Sequence, residues 1–393
     1  MSNIIKKGIA VLKSPKKRTI ILAQHGFFKN MSDEEFLKMQ FKNVFGYPLD
    51  LNSPKTYSEK LQWLKLYDRK PEYTMMVDKY EVKQYVASKI GEEHIIKTLG
   101  VWDRFDDIDF SKLPNQFVLK CTHDSGGLVI CTDKSKLDMT VAKKKIEKSL
   151  KNDYYMQNRE WPYKNVKRRI IAEEYMVDES GYELKDYKIF AFDGEAKAMF
   201  IASDRTNPNE ETKFDFFDMD FNHLPFTNGH PNSKEWDKIK RPKGLDEMKK
   251  YAEILSKGLP EARIDFYDIN GKVYFGEITF FHWSGFERFE PAEWDDYWEE
   301  WSGSAGYSEL PYGGELSRQE TNNNSYTVRL QLNANKYFGT EDRHNINASA
   351  GFELSSTRYK QYENVTRGYY KDRGMSFVNN INLDDYPAYK EWL

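Results

Sequence analysis

Within RIDFYDINGKVYFGEITFF, residues 263–281, the odd positions Arg263, Asp265, Glu277 and Thr279 gather a cation, two carboxylates and a hydroxyl. Two carboxylates on one sheet face suit Mg²⁺, and a neighbouring arginine suits a phosphoryl group. Read alone, the same residues also make a solvated sheet face with cross-strand ion pairs. The even positions Ile264, Phe266, Tyr274, Gly276, Ile278 and Phe280 form an apolar set of period two. That pattern predicts a hairpin with one core face and one polar face. Its turn, Asp268-Ile269-Asn270-Gly271, carries the Asn-Gly signal. Matching apolar to apolar asks for a three-residue loop with Gly271 left-handed. In that register Asp265 lies opposite Phe275, and Arg263 lies opposite Glu277.

Other segments carry weaker chemistry. In NQFVLKCTHDSGGLVICTD, Lys120 closes an apolar strand and a Gly-Gly loop follows, so lysine and backbone N–H groups could meet phosphate. The plain alternative is a hairpin with a solvated lysine. VDKYEVKQYV places Lys79 and Lys83 on one helical face, a pattern that is usually only solvated. IIAEEYMV runs apolar, acidic, acidic, aromatic, apolar and could offer main-chain groups to an adenine edge. Asp218 and Asp220 in FDFFDMDFNHLPF form a two-carboxylate pattern able to hold a metal and a sugar nucleotide, which would make the chain a glycosyltransferase.

These residues need elements to hold them. SDEEFLKMQFKNVFG, with an N-cap serine, SPKTYSEKLQWLKLYD and VDKYEVKQYVASKIG predict helices within residues 31–100. Short apolar runs then alternate with helices as far as Trp301, including the helix MTVAKKKIEKSL and a hairpin from YKIFAFDG and AKAMFIASD, an α+β pattern. From residue 302 the composition turns Gly/Ser/Asn-rich, and two alternating strands follow. Tyr326, Val328, Leu330, Leu332 and Ala334 share one face of the first; Ile346, Ala348, Ala350, Phe352 and Leu354 share one face of the second.

Fifty-nine basic against 62 acidic residues, a formal charge of −3, leave no footprint for nucleic acid. Cys121 and Cys131 lack metal-ligand neighbours and suggest reduced thiols. No stretch reaches spanning length, and the start reads as no signal peptide, so a cytoplasmic location is expected. Ile5, Ile9 and Leu12, ringed by Lys6, Lys7 and Lys13, predict a helix that frays or grazes an anionic membrane peripherally.

In order, the pieces resemble the ATP-grasp superfamily. LQWLKLYDRKPEYTMMVDKY, FVLKCTHDSGG and VYFGEITFFHWSGFERFEP are similar to the TupA-like ATP-grasp family of teichuronopeptide and surface-polysaccharide synthesis, over roughly residues 25–297. The resemblance implies two α+β lobes clasping ATP: a helical region at 1–75, an N-lobe at 76–170 and a C-lobe at 171–301. It implies that Lys79 and Lys120 flank the nucleotide phosphates and that His123, Asp124, Ser125, Gly126 and Gly127 cover them. Glu173, Glu174, Tyr175 and Met176 look like the hinge, with adenine read by the main chain of Glu174 and Met176. Asp186 and Lys188 resemble an acidic-x-basic pair whose lysine faces phosphate. Asp265 and Glu277 match two Mg²⁺ carboxylates, Arg263 the group holding the transferred phosphoryl, and Thr279 stands where relatives carry an asparagine ligand.

The implied activity is carboxylate–amine ligation with ATP and Mg²⁺, joining a small-molecule amine to a carboxylate on a glycan or lipid-linked glycan. A non-catalytic nucleotide-binding module is a further alternative, against which the complete charged set argues. LPYGGELSRQETNNNSYTVRLQLNANKYFG is similar to the barrel portion of SusC-like TonB-dependent receptors, which implies that 302–393 is a fused fragment outside the enzyme. The other reading of that tail is a β-extension capping the site.

Overall fold

The computed structural model describes residues 15–181, 184–204, 210–292, 294–295, 298, 314–338 and 344–369. The expected helix around Ile5, Ile9 and Leu12 lies outside them. Chain contacts separate two units, Met1–Tyr307 and Ser308–Leu393.

Helices open the first unit: α1 (Pro15–Gln24), α2 (Asp33–Phe45), α3 (Tyr57–Tyr67), α4 (Glu72–Val77) and α5 (Glu81–Ile90). Ser32 caps α2 and Thr56 caps α3, each reciprocated by a glutamate three residues on, so orphan N–H groups at both helix starts are satisfied. Gly46, at φ 86°, ends α2 in the left-handed region that glycine enters without a Cβ clash. Ala23, Phe36, Leu37 and Phe41 of these helices form a small core with Leu49 and Phe286.

A four-stranded antiparallel sheet follows in the order β1-β4-β2-β3, from Thr98–Trp102, Ile170–Glu174, Phe117–Cys121 and Leu128–Cys131. Helix α6 (Met139–Lys151) sets Ala142 and Ile146 against Phe117, Leu119, Ile170 and Ala172 in one core. Short α7 spans Tyr154–Asn158. Because β4 sits inside this sheet, the break between the two sheets falls after Glu174, not at the expected boundary of 170/171.

The second sheet runs β10-β9-β5-β6-β7-β8, from Lys272–Thr279, Ala262–Ile269, Asp186–Phe192, Glu195–Ser203, Lys213–Asp218 and His223–Leu224. Ile189, Ala198, Ile264 and Phe266 share a core with Leu245, Met248, Ala252 and Leu255 of α8 (Leu245–Ser256). The expected β5–β6 hairpin is present, and both cysteines are buried and free. Among the described residues no helix is long and apolar enough to cross a membrane.

Glu261, just before β9, is buried in this core and accepts a hydrogen bond from the Tyr57 hydroxyl at 3.0 Å. Burial pushes its carboxyl up to about 8. An unfolded glutamate ionises near pH ~4.3, so between these values the folded chain holds the extra proton. Stability from this group is therefore complete at low pH and lost as pH rises through about 8. A glutamine side chain at this position has no such proton to lose. Glu261→Gln is expected to raise the melting temperature at pH 8 by a few degrees, with the gap closing toward pH 5. Parallel melting-temperature profiles for the two proteins would contradict this.

Among its described residues the second unit is a single ribbon, β11 (Gly314–Phe338) against β12 (His344–Tyr369). Its first strand starts well before Tyr326, since Leu316–Ser325 already pair with Thr357–Thr366. Register sets Val328 opposite Leu354, Leu330 opposite Phe352, Leu332 opposite Ala350 and Ala334 opposite Ala348. The expected apolar alternation thus falls on one face. Every described side chain on the ribbon is exposed, Leu332 at 79%.

Candidate active site

The β9–β10 hairpin turns more tightly than its pattern predicts. Asn270 at φ 57° and Gly271 at φ 91° are both left-handed, and Lys272 pairs with Ile269. This is a two-residue turn of the kind that Asn-Gly favours. It puts Val273 and Phe275 in the core rather than Tyr274. The register then slips between Phe275 and Glu277, so the core positions switch to Ile278 and Phe280. Glu277 comes to lie opposite Asp265, and Thr279 opposite Arg263. The expected pairings, Asp265 with Phe275 and Arg263 with Glu277, are corrected by this bulge. A Cβ on Gly276 would stand 2.9 Å from the Asp265 carbonyl oxygen, so only glycine lets the strands close there.

The bulge sets two carboxylates side by side, and cations surround them. Arg263 donates from Nε to Asp265 Oδ1 at 2.7 Å and from Nη2 to Oδ2 at 2.9 Å. Its Nη2 also reaches Thr279 Oγ1 at 3.1 Å and lies 3.5 Å from Glu277. Lys188 faces Asp265 across β5–β9 and donates to its Oδ2, with Asp186 3.8 Å away. Lys79 is 3.4 Å from Glu277 and donates to the Asp124 carbonyl at 2.8 Å. Burial alone would raise the Glu277 carboxyl, but Lys79, Lys188, Arg263 and Lys120 together hold it far below the usual carboxylate range. Burial lowers the Lys188 ammonium despite Asp265.

Glu173, the penultimate residue of β4, is buried between Lys120 at 2.6 Å and Lys83 at 2.5 Å. Burial opposes its ionisation, yet these two lysines bring it down to about 2. The lysines differ in everything else. Lys83 also donates to the Ile96 carbonyl at 2.7 Å and to Thr98 Oγ1 at 2.9 Å, tying α5 to the approach of β1. Lys120 borders the cleft. Lys79 lies in the turn before α5 rather than on the helix, which Asp78 begins by accepting from Tyr80 and Glu81 N–H. Lys120→Ala is expected to weaken nucleotide binding roughly 10- to 100-fold, the loss of one charge-assisted contact. Lys83→Ala should instead lower the melting temperature. Equal losses of affinity in a titration would contradict the division.

The Gly loop between β2 and β3 is shaped from inside. Asp124 is buried; it accepts from Gly127 N–H at 3.1 Å and from the Ser149 hydroxyl of α6. A Cβ on Gly127 would meet Ser149 Oγ at 2.2 Å. Ser125 and Gly126 are exposed over the cleft. His123 turns the other way: its buried ring sits 3.2 Å from the Ser149 and Asn152 carbonyls and does not line the cleft.

One cleft brings together Lys79, Lys120, Asp124 to Gly127, Glu173, Asp186, Lys188, Asp265 and Glu277. Arg263 and Thr279 reach it through Asp265 and Glu277. Glu174, Tyr175 and Met176 follow at the end of β4 without lining it, and the Glu174 N–H is already given to the Lys97 carbonyl. Sequence reasoning missed Tyr267 and Gly276 as lining residues, and His282, which accepts from Arg263 Nη1 at 2.8 Å. Gly276 inside a strand was the available signal.

Asp218 accepts from the N–H groups of Asp220 and Asn222, at 3.0 and 2.8 Å, and from the Asn222 amide. It closes the β7–β8 turn, so no paired-carboxylate metal site forms there. Among the described residues no group of three or more His, Cys, Asp or Glu gathers as a metal cage. Asp265 and Glu277 fit Mg²⁺ nonetheless, because that ion is commonly held by one or two carboxylates and completed by phosphate oxygens and water. The lysines and the Gly loop fit those phosphates.

Three solved structures are similar to parts of this chain. D-alanine–D-alanine ligase from Bacillus anthracis, solved with ATP, is 15% identical over 52% of this chain and 53% of its own, with a TM-score of 0.31. The chain thus spans about half the length of that ligase. The Helicobacter pylori D-alanine–D-alanine ligase is 15% identical over 63% and 68%, TM-score 0.34. The ATP-grasp ligase PsnB, solved with minimal precursor, Mg and ADP, is 9% identical over 71% and 73%, TM-score 0.35. No curated protein matches the chain. The model of the TupA-like ATPgrasp family matches residues 59–300, more than half of the 393. The chain therefore belongs to the TupA-like ATP-grasp family and has the ATP-grasp fold.

Proposed function

We propose that the protein is an ATP-dependent ligase joining a carboxylate to an amine, with the Asp265–Glu277 pair as its metal seat. The adjacency of those carboxylates, ringed by Lys79, Lys188 and Arg263, supports this reading above all else. A substrate carboxylate oxygen attacks the γ-phosphorus of ATP; the bond to the β-phosphate oxygen breaks, leaving an acyl phosphate and ADP. The amine nitrogen then attacks the acyl carbon, phosphate leaves, and the nitrogen loses a proton. Mg²⁺ would neutralise phosphate charge and align the transfer.

The chain's own residues do the positioning. Lys79, Lys120, Lys188 and Arg263 face Glu173, Asp186, Asp265 and Glu277, while the Asp124 carboxylate turns inward to Gly127 N–H and Ser149. These cations and carboxylates are therefore paired with one another before any ligand enters. ATP alone meets these carboxylates, and a divalent ion alone meets these cations. Entering together, they let the cations turn to phosphate and Asp265 and Glu277 turn to the metal. Arg263 and Lys188 then stand where negative charge builds in phosphoryl transfer. Ser125 and Gly126 cover the phosphates from the open side.

The acceptor reading follows family membership: an amino acid joined to a uronic-acid or amino-acid carboxylate of a surface-polysaccharide precursor, in the cytoplasm. It is tested by phosphate release with ATP and Mg²⁺, screening amino acids against uronic-acid acceptors. Release that needs both partners supports it; release with no acceptor dependence, or none at all, would contradict it.

The tail is read as lying outside the ligase. Its ribbon alternates apolar and polar faces like an outer-membrane barrel wall, and two strands cannot close a barrel. Truncation after Trp301 is expected to leave nucleotide affinity and melting temperature unchanged; a loss of either would make the tail part of the enzyme.

A further inference from the structure

Arginine carries five N–H donors and no acceptor. Arg263 gives Nε and Nη2 to Asp265 and Thr279, and Nη1 to His282 Nδ1 at 2.8 Å. Since Arg263 can only donate, Nδ1 of His282 is the bare nitrogen and its proton sits on Nε2. The far side of the ring demands the same tautomer: Nε2 lies 2.9 Å from Asn228 Oδ1. Asn228 is held in that sense because its Nδ2 donates to the Arg288 carbonyl at 2.9 Å. Arg263, His282 and Asn228 are all buried.

The backbone bearing His282 is strained to aim it. Trp283 at φ 49° and Ser284 at φ 58° are both left-handed and precede Gly285 at φ 62°. Non-glycine residues adopt this conformation only against steric strain. Buried groups hold the turn: Lys65 donates to the Ser284 carbonyl at 2.7 Å, and Gln62 to the Gly285 carbonyl at 2.9 Å. Trp283 Nε1 donates to the Asn228 carbonyl at 3.3 Å.

We infer that His282, oriented by Asn228, is a positioning residue that fixes the angle of the Arg263 guanidinium for phosphoryl transfer. The inference rests on the ligase reading of the cleft. Asp265 and Thr279 belong to the face that ligand binding re-pairs. His282 belongs to the core, edge-on to Phe190 at 5.0 Å, and keeps its grip throughout.

Nitrogen NMR of the full chain, paired with kinetics, tests this. His282→Asn returns an acceptor oxygen to the place of Nδ1, whereas His282→Gln puts its polar atoms at the place of Nε2. Wild type should show the Nε2–H tautomer and slowly exchanging Arg263 N–H groups, and His282→Asn should keep the slow exchange. His282→Gln should speed that exchange and lower kcat roughly 10- to 100-fold, with KM for ATP and the melting temperature nearly unchanged. Equal behaviour of the two variants, a loss residing in KM, or kcat falling in step with melting temperature would overturn the inference. A wild type that turned over no ATP would sink the ligase reading alone, because tautomer and exchange would still decide the role of His282.

Discussion

Glu277→Gln is expected to abolish Mg²⁺-dependent turnover of ATP, by roughly 10²–10⁴-fold, while the protein stays folded. Asp265→Asn should do the same. Each change keeps the side chain's shape and removes the charge that a hard cation needs. Glu277 is half-buried and held ionised by Lys79, Lys188, Arg263 and Lys120, so it brings full negative charge to the pair at any physiological pH. Neutralising it also frees those cations to repel one another, which should weaken metal binding more than nucleotide binding in metal-free buffer. A near wild-type rate in both variants would remove the metal assignment.

Gly276→Ala is expected to act almost as strongly, without touching a charged group. The new methyl would press on the Asp265 carbonyl oxygen at 2.9 Å and carbon at 3.3 Å, both backbone atoms with little room to move. Either the strands part or the bulge flattens, and both outcomes separate Glu277 from Asp265. We expect Mg·ATP affinity to drop at least tenfold, about 1.4 kcal/mol or more, with a melting temperature several degrees lower. Unchanged affinity would mean that the bulge does not set the pair.

Much of this arrangement was legible in the sequence, and the misses are instructive. Arg263, Asp265, Glu277 and Thr279 do share a face, as period two requires. Their partners across the hairpin were misread because one continuous even set was assumed. Val273 and Phe275 are apolar at odd positions and Ile278 and Phe280 at even ones, a switch that only a bulge between them explains. His123 sits beside the Gly-loop residues in sequence, yet its ring turns to the Ser149 carbonyl of α6. Lys79 precedes its helix, which begins two residues on at Glu81, with Asp78 accepting from the N–H groups of Tyr80 and Glu81. His282 could not be read at all. It meets Arg263 across 19 residues through a left-handed turn, which no local periodicity encodes.

Because the cations of the cleft are already paired with carboxylates, its preference for ATP together with Mg²⁺ is directly measurable. Calorimetric titration of the full chain with ATP, with and without Mg²⁺, and with a sugar nucleotide alongside, separates the possibilities. We predict binding of ATP that is strong with Mg²⁺ and at least tenfold weaker without it, about 1.4 kcal/mol of coupling or more, and no binding of the sugar nucleotide. ATP affinity indifferent to Mg²⁺, or preferential binding of the sugar nucleotide, would contradict the account.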